Sequence, residues 1–397
     1  MRLGFAWPGL ICLAACATGR VAAPDSAATL DSATTDATAE DVSAPCPDAL
    51  PDKTVVAAGQ GGAMHARLSA ANGGSEGLAW ADQATGALHY GQRAGGTWKA
   101  EADPVPGALV GSWDGRSIAP AILPGGGAVI AFWDRGSLDF RLAVQAGGAD
   151  PSWRIEVVDP QQMVGLDTAI AVAADGTVHL AYLDAADGDL RYATGRAGGG
   201  GWTVGTVDSQ DYVGNDPAIA LAADGTVHVA YYRCGDMAAS GCSDGQLRHA
   251  SLAAGAWSVE VVDKADDPGW YSSIAFDRAG VAHASYYVAG SRQLRYASLA
   301  PGGWRTEVVD PGPGAGKYSS LAFLDDRTFI AYRDEPGDAL MLAMTLGDGS
   351  WRRQRVDSGG TYASMVALPP CGLLVGYQDS GETSVVVAAL VQGANGP

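Results

Sequence analysis

Lysine is scarce in this chain. Lys53, Lys99, Lys264 and Lys317 are the only four in 397 residues, and nowhere do Lys and Arg cluster. A phosphate backbone is bound by neutralising it with basic side chains, so nucleic acid is excluded as a partner. Charge of either sign is sparse at 17%, and its balance is acidic, with a formal net charge of −19. That acidity fits the solubility of an exposed protein. Cysteine is limited to six residues, with no Cys-x-x-Cys pair and no His/Cys spacing of a metal site. The one apolar run, near the N-terminus, is interrupted by Pro8 and is too short to cross a bilayer core of about 30 Å as a helix.

Repetition is what the chain does contain. Tyr271-Ser-Ser-Ile opens a unit that continues through a turn at Asp277-Arg-Ala-Gly280 to His283-Ala-Ser-Tyr-Tyr287. Gln293-Leu-Arg-Tyr-Ala297, a Gly302-Gly303-Trp304 turn and Thr306-Glu-Val-Val-Asp310 complete it. These are four alternating apolar/polar runs of strand length, separated by turn residues. Trp98, Trp153, Trp202, Trp257, Trp304 and Trp351 open the fourth strands at intervals of 47 to 55 residues, the period of four-stranded propeller blades.

Second strands number seven, from Leu78-Ala-Trp-Ala-Asp82 to Val375-Gly-Tyr-Gln-Asp379, against six tryptophans. After Asp357 the chain supplies three further strands and stops, while Lys53-Thr-Val-Val-Ala57 precedes the first full unit. The expectation is an all-β, seven-bladed β-propeller over 51–392, its last blade closed by that N-terminal strand so that no sheet edge is left open. Asp175-Gly176 and Asp224-Gly225 fall between first and second strands, as two-residue hairpin turns with positive φ.

Ahead of the propeller, 1–15 reads as an export signal. Leu13-Ala14-Ala15-Cys16 resembles the bacterial lipobox, which implies that Cys16 is lipidated and becomes the mature N-terminus; an ordinary cleaved signal is the alternative. Residues 16–50 are rich in Ala, Thr, Asp and Ser, with almost nothing to bury, and read as a disordered tether. At roughly 5 to 6 Å times the square root of its length, it would hold the propeller tens of ångströms from the membrane. Ala17 stands where an acidic residue would signal inner-membrane retention, so the outer membrane of the cell envelope is preferred.

Of the cysteines outside the export segment, Cys234 and Cys242 flank one loop and form an expected disulfide. Cys46 leads into the closing strand and Cys371 sits at the same end of the last blade, where a second bond would lock the ring.

The cassette is similar to the repeats of bacterial sialidase-like (Asp-box) propellers. That family's Ser-x-Asp-x-Gly-x-x-Trp turn is approached only by Leu346-Gly-Asp348-Gly-Ser-Trp351, and its Arg-Ile-Pro element only by Arg116-Ser-Ile-Ala-Pro120. Sialidases also have six blades, so the resemblance implies the architecture rather than sialidase activity. Gly73-Gly-Ser75-Glu-Gly77 and Gly312-Pro-Gly-Ala-Gly-Lys317 match a nucleophile elbow and a phosphate loop in lettering only, because neither lies between a strand and a helix. His179, His228 and His283 hold equivalent positions in three successive blades, which spreads them around a ring and assigns them structural hydrogen bonds. Asp184-Ala-Ala-Asp187-Gly-Asp189 offers carboxylates suited to Ca²⁺ without calcium-loop spacing, and reads as a solvated acidic turn. No cofactor or metal is otherwise expected.

Aligning the first strands places His65, Gly115, Asp167, Asp216, Tyr271, Tyr318 and Tyr362 at one repeat position, where inner strands reach the channel mouth. Arg233 and Asp334, with the Asp residues ending the other second strands, fall at the same end, as do Trp113 and Trp270 in adjacent loops. Apolar walls with a few convergent polar groups suit a ligand, and aromatic planes with carboxylates suit a sugar. The expected function is therefore a monomeric, non-catalytic binding module for a glycan or protein partner on a membrane-anchored lipoprotein. A glycoside hydrolase or lyase, and an envelope scaffold, are the alternatives, as is a purely structural Tyr-Ser-Ser cap on each inner strand.

Overall fold

Alternation with a period of two lets each run pack at least one face, second strands such as Ala128–Trp133 and Ala282–Val288 being buried on both, and the glycine- and aspartate-rich turns reverse the chain between runs. The computed structural model describes residues 52–391 apart from 59–62, 72–74, 95, 112–116, 148–151, 236, 239–240, 243, 370–371 and 382–383. Every regular element among them is a β-strand, and no helix long and apolar enough to cross a membrane occurs among them. The lipobox, the tether and the Cys46–Cys371 pair lie outside the described residues.

Seven four-stranded antiparallel sheets form the blades of a propeller. Their first strands are Ala63–Ala71, Ile118–Ile122, Val164–Val172, Tyr212–Leu221, Pro268–Phe276, Ala315–Leu324 and Thr361–Leu368, numbered here as blades 1 to 7. Each first strand packs on those of its two neighbours, and Thr361–Leu368 packs on Ala63–Ala71 to complete the ring. In blade 7 the outermost strand is Asp52–Ala58, antiparallel to Ser384–Val391, so the chain's first strand supplies the missing edge. Leu68, Leu78 and Trp80 of blade 1 bury against Leu374, Val385 and Val387 of blade 7.

Polar bonds repeat between blades. The Tyr182 hydroxyl of blade 3 donates to the Asp159 carboxylate that ends blade 2, at 2.8 Å. Tyr231–Asp208 and Tyr286–Asp263 (both 2.7 Å), Tyr332–Asp310 (2.6 Å) and Tyr377–Asp357 repeat it. Arg191, Arg248, Arg295, Arg353 and Lys53 pair with these five carboxylates, so each charge meets both a hydroxyl and a cation. The fourth-strand tryptophans reach back likewise: Trp153, Trp304 and Trp351 donate their indole N–H to Glu101, Glu260 and Glu307 of the preceding blade.

Cys234 and Cys242 are joined, with Cα atoms 5.7 Å apart, across the short hairpin Met237–Ala238 and Gly241–Cys242. At the Asp-Gly turns only Gly176 (φ 86°) and Gly225 (φ 84°) enter the left-handed region. Asp175 and Asp224 instead accept the amide N–H two residues on, each at 2.9 Å, so these are Asx-braced turns rather than the doubly left-handed turn that the dipeptide suggests.

Candidate functional site

The inner strands do not run straight through the channel. Between Met64 and Arg67, Val164 and Thr168, Asn215 and Ala218, Trp270 and Ser273, Lys317 and Ser320, and Thr361 and Ser364, the pairing with the second strand slips. Each slip is a bulge, a device that re-aims a side chain. At these bulges His65 (φ 58°), Asp216 (47°), Tyr271 (54°), Tyr318 (54°) and Tyr362 (56°) adopt left-handed backbone. Bulky residues avoid that region because Cβ crowds the carbonyl, and glycine would fit without cost. His65, Tyr271, Tyr318 and Tyr362 keep this conformation on four blades, as Leu138, Met163 and Arg292 do elsewhere in the chain.

Those four side chains form one continuous tier. Ring centroids are 4.8 Å apart for His65 and Tyr362, 5.0 Å for Tyr362 and Tyr318, and 4.5 Å for Tyr318 and Tyr271, with interplanar tilts of 47°, 56° and 50°. The tier thus follows blades 1, 7, 6 and 5 around the axis. Tyr287 extends it outward, 6.2 Å from Tyr271. The three tyrosines of the tier are half-buried, whereas His65 is buried.

Blades 3 and 4 contribute acids at the same level. Asp167 and Asp216 are 6% and 5% exposed, and the Asp167 carboxylate accepts the Asp216 amide N–H at 2.9 Å. Below this tier lies a cavity of about 160 Å³ whose wall takes residues from all seven inner strands.

The serines that follow each tyrosine have a different task. Ser272 donates to the Asp216 carbonyl at 2.7 Å and Ser319 to the Tyr271 carbonyl at 2.9 Å, so each ties its strand to the preceding blade. The next serine in each motif accepts an amide from the following blade: Ser273 from Leu321 (3.0 Å), Ser320 from Met365 (2.9 Å) and Ser364 from Leu68 (3.1 Å). Tyr-Ser-Ser is therefore scaffold in its serines, with its tyrosines left to form the tier.

Other residues expected at the mouth divide. Trp270 packs on Tyr232 at 4.5 Å, and the Tyr232 hydroxyl donates to Asp267 at 2.7 Å. Burial raises the Asp267 pKa, and the carboxylates of Asp266 and Asp244 add to the rise. Asp267 was not legible as a site residue, although the Asp266-Asp267 pair before Pro268 signals crowded charge. Arg233 is committed to Asp211 and to Asp244, the latter at 2.9 Å. Asp334 is half-buried, its pKa raised by burial and by the Asp310 carboxylate. Asp82, Asp134, Asp184 and Asp379 cap the turns that follow them by accepting local N–H groups. Gly115 and Trp113 lie outside the described residues.

The three repeated histidines each bond within their own blade: His179 to Tyr192 (2.6 Å), His228 to His249 (2.9 Å) and His283 to Tyr296 (2.5 Å). At the acidic turn, Asp184 accepts the amides of Ala186 and Asp187 and pairs with Arg191. The group of potential metal ligands found among the described residues, Cys234, Cys242 and Asp244, contains the disulfide sulfurs and so offers no thiolate.

No protein-family model matches this sequence, and no curated protein matches it. The fold does have solved neighbours. An ulvan lyase, representing a new family of polysaccharide lyase, aligns with a TM-score of 0.61 at 13% identity, covering 87% of this chain and 97% of that one. A Dyadobacter fermentans protein of unknown function aligns with a TM-score of 0.56 at 13% identity, covering 86% and 98%. A Hadza microbial sialidase aligns with a TM-score of 0.49 at 12% identity, covering 79% and 76%.

Proposed function

We propose that this chain is a non-catalytic, glycan-binding propeller that presents the channel mouth as its site. The observation that carries this reading is the tier of His65, Tyr362, Tyr318 and Tyr271, held by left-handed backbone beside the carboxylates of Asp167 and Asp216. Half-buried aromatic faces take up the apolar face of a sugar ring, and acidic oxygens accept its hydroxyls. The ulvan lyase supports the reading to the extent that a chain of this fold acts on a polysaccharide. In this proposal Cys16 carries a lipid, 16–50 is the tether, and the propeller stands on the outer membrane of a cell envelope as a monomer.

Affinity electrophoresis of the purified protein through gels containing individual polysaccharides tests it. Retardation by at least one polysaccharide, lost in Tyr271→Ala and Tyr318→Ala with no saccharide product released, is the expected result. Product release would make the chain a hydrolase or lyase. Free migration through every gel would leave a protein partner or a scaffold role.

A further inference from the structure

The scaffold role of the second serines uses their oxygens and leaves their hydrogens. A serine hydroxyl has one hydrogen to donate and two lone pairs to accept with. Ser273, Ser320 and Ser364 each accept a backbone N–H from the next blade, so each keeps its O–H as a donor. All three line the cavity beneath the aromatic tier, on the contiguous blades 5, 6 and 7. Blades 3 and 4 carry Ala169 and Ala218 at the same repeat position, with Ile170 and Ile219 one residue further on. The wall therefore has a hydroxyl side, whose hydrogens call for an acceptor, and an aliphatic side that suits a methyl group.

Charge takes no part in this pairing. Arg67 lines the cavity too, but Arg67, Asp167 and Asp216 each already have a partner within the chain. A charged arm would be buried without a counter-ion to spare, which is costly, whereas a neutral carbonyl oxygen needs only the serine hydrogens.

Size narrows the choice further. The cavity measures about 160 Å³, and a protein cavity of about 150 Å³ is filled by one benzene ring. A whole hexose is bulkier than benzene, so the sugar ring stays at the tier and sends one side arm down. A hydroxymethyl arm brings a further hydrogen to a wall that already has hydrogens in excess, and it has no methyl group for the aliphatic side. An acetamido arm has a carbonyl oxygen that only accepts, with a methyl group beside it.

Building on the glycan reading above, we propose that the channel selects 2-acetamido sugars, the N-acetylhexosamine class, by taking the acetamido arm into the cavity. The carbonyl oxygen accepts from the serine hydroxyls of blades 5 to 7, and the methyl group rests on Ala169 and Ala218. The tier holds the ring of any such sugar, and the cavity distinguishes one sugar from another.

The methyl glycosides of glucose, galactose and mannose, each beside its 2-acetamido counterpart, differ only at the arm in question and are all uncharged. Titration followed by ligand-observed NMR is expected to show at least one 2-acetamido glycoside binding about tenfold or more tightly than its parent, the scale of one hydrogen bond with one buried methyl group. Ala218→Leu and Ala169→Leu, which fill the aliphatic side, are each expected to bring such a pair to equal affinity, with circular dichroism checking that the blades remain folded. Equal binding within every pair by the wild-type protein, lost in Tyr318→Ala, overturns the acetamido assignment and leaves the glycan reading standing. A preference that survives both obstructions does the same. Failure of all these glycosides alongside retardation by a polysaccharide also overturns the acetamido assignment alone. Failure of all of them together with free migration through every polysaccharide gel overturns both.

Discussion

The ring of Tyr318 lies 4.5 Å from that of Tyr271, across the boundary between blades 6 and 5, and both residues hold left-handed backbone with φ of 54°. Two tyrosines therefore meet at the channel mouth in a conformation that a non-glycine residue adopts at a cost of about 1 to 2 kcal/mol each.

That cost bears on both stability and function. Tyr318→Gly recovers the backbone cost but loses two ring contacts of about 0.5 to 1.5 kcal/mol each and the burial of a half-buried ring against the core, so its stability should fall by no more than about 3 kcal/mol. Sugar binding should fall about tenfold or more, because the buried aromatic face is gone. Chemical denaturation alongside a binding titration checks both. Loss of stability with retained binding would make the tyrosine structural.

Between blades, the hydroxyl–carboxylate bonds should behave as structural fasteners. Tyr286→Phe removes the 2.7 Å bond to Asp263 and leaves that buried carboxylate with Arg295. Loss of a hydrogen bond to a charged group predicts a destabilisation of about 1.5 to 3 kcal/mol, read as a lower midpoint in urea with sugar binding unchanged. Altered affinity at unchanged stability would contradict this assignment.

Closure should depend on the first strand. Removing 52–58 exposes the edge of Ser384–Val391 and takes Lys53 from its 2.8 Å ion pair with Asp357. An uncovered edge strand templates association, so the shortened chain is expected to form larger, concentration-dependent species in light scattering than the full chain does. A monodisperse shortened chain would show that the ring closes without this strand.

Acid should loosen blade 4. Burial, with the adjacent His249 ring adding to it, lowers the His228 pKa to about 4. The unfolded chain has its ordinary histidine value near 6.5, so between about pH 6.5 and pH 4 the unfolded state binds the extra proton. Stability from this group is complete above that window and is lost as the pH falls through it. His228→Gln should lessen the fall in melting temperature across that interval, and an unchanged slope would exclude His228 as a source.

Much of the architecture was legible because it rests on local signals. The tryptophan spacing gave the period, and the count of second strands against tryptophans gave both the seventh blade and its closure by 53–57. The tier was legible as an alignment of His65, Asp167, Asp216, Tyr271, Tyr318 and Tyr362, since a shared repeat position becomes a shared level on the ring. The left-handed backbone of His65, Asp216, Tyr271, Tyr318 and Tyr362 was not, because nothing in those residue types signals positive φ and the glycine two residues earlier in blades 4 to 7 takes positive φ on its own account. The Tyr286–Asp263 type of bond also escaped notice: donor and acceptor are 23 residues apart on different blades, and only the stacking of blades joins them. Second-strand aspartates such as Asp134 looked like site carboxylates, yet alternation alone cannot distinguish an acid facing a channel from one capping its own turn.

A crystal structure with the best-binding oligosaccharide tests the central claim most directly. The account predicts a sugar ring against Tyr271, Tyr318 and Tyr362, with its hydroxyls toward Asp167 and Asp216. Saccharide on the outer strands or in a groove between blades, with the tier unoccupied, would contradict it.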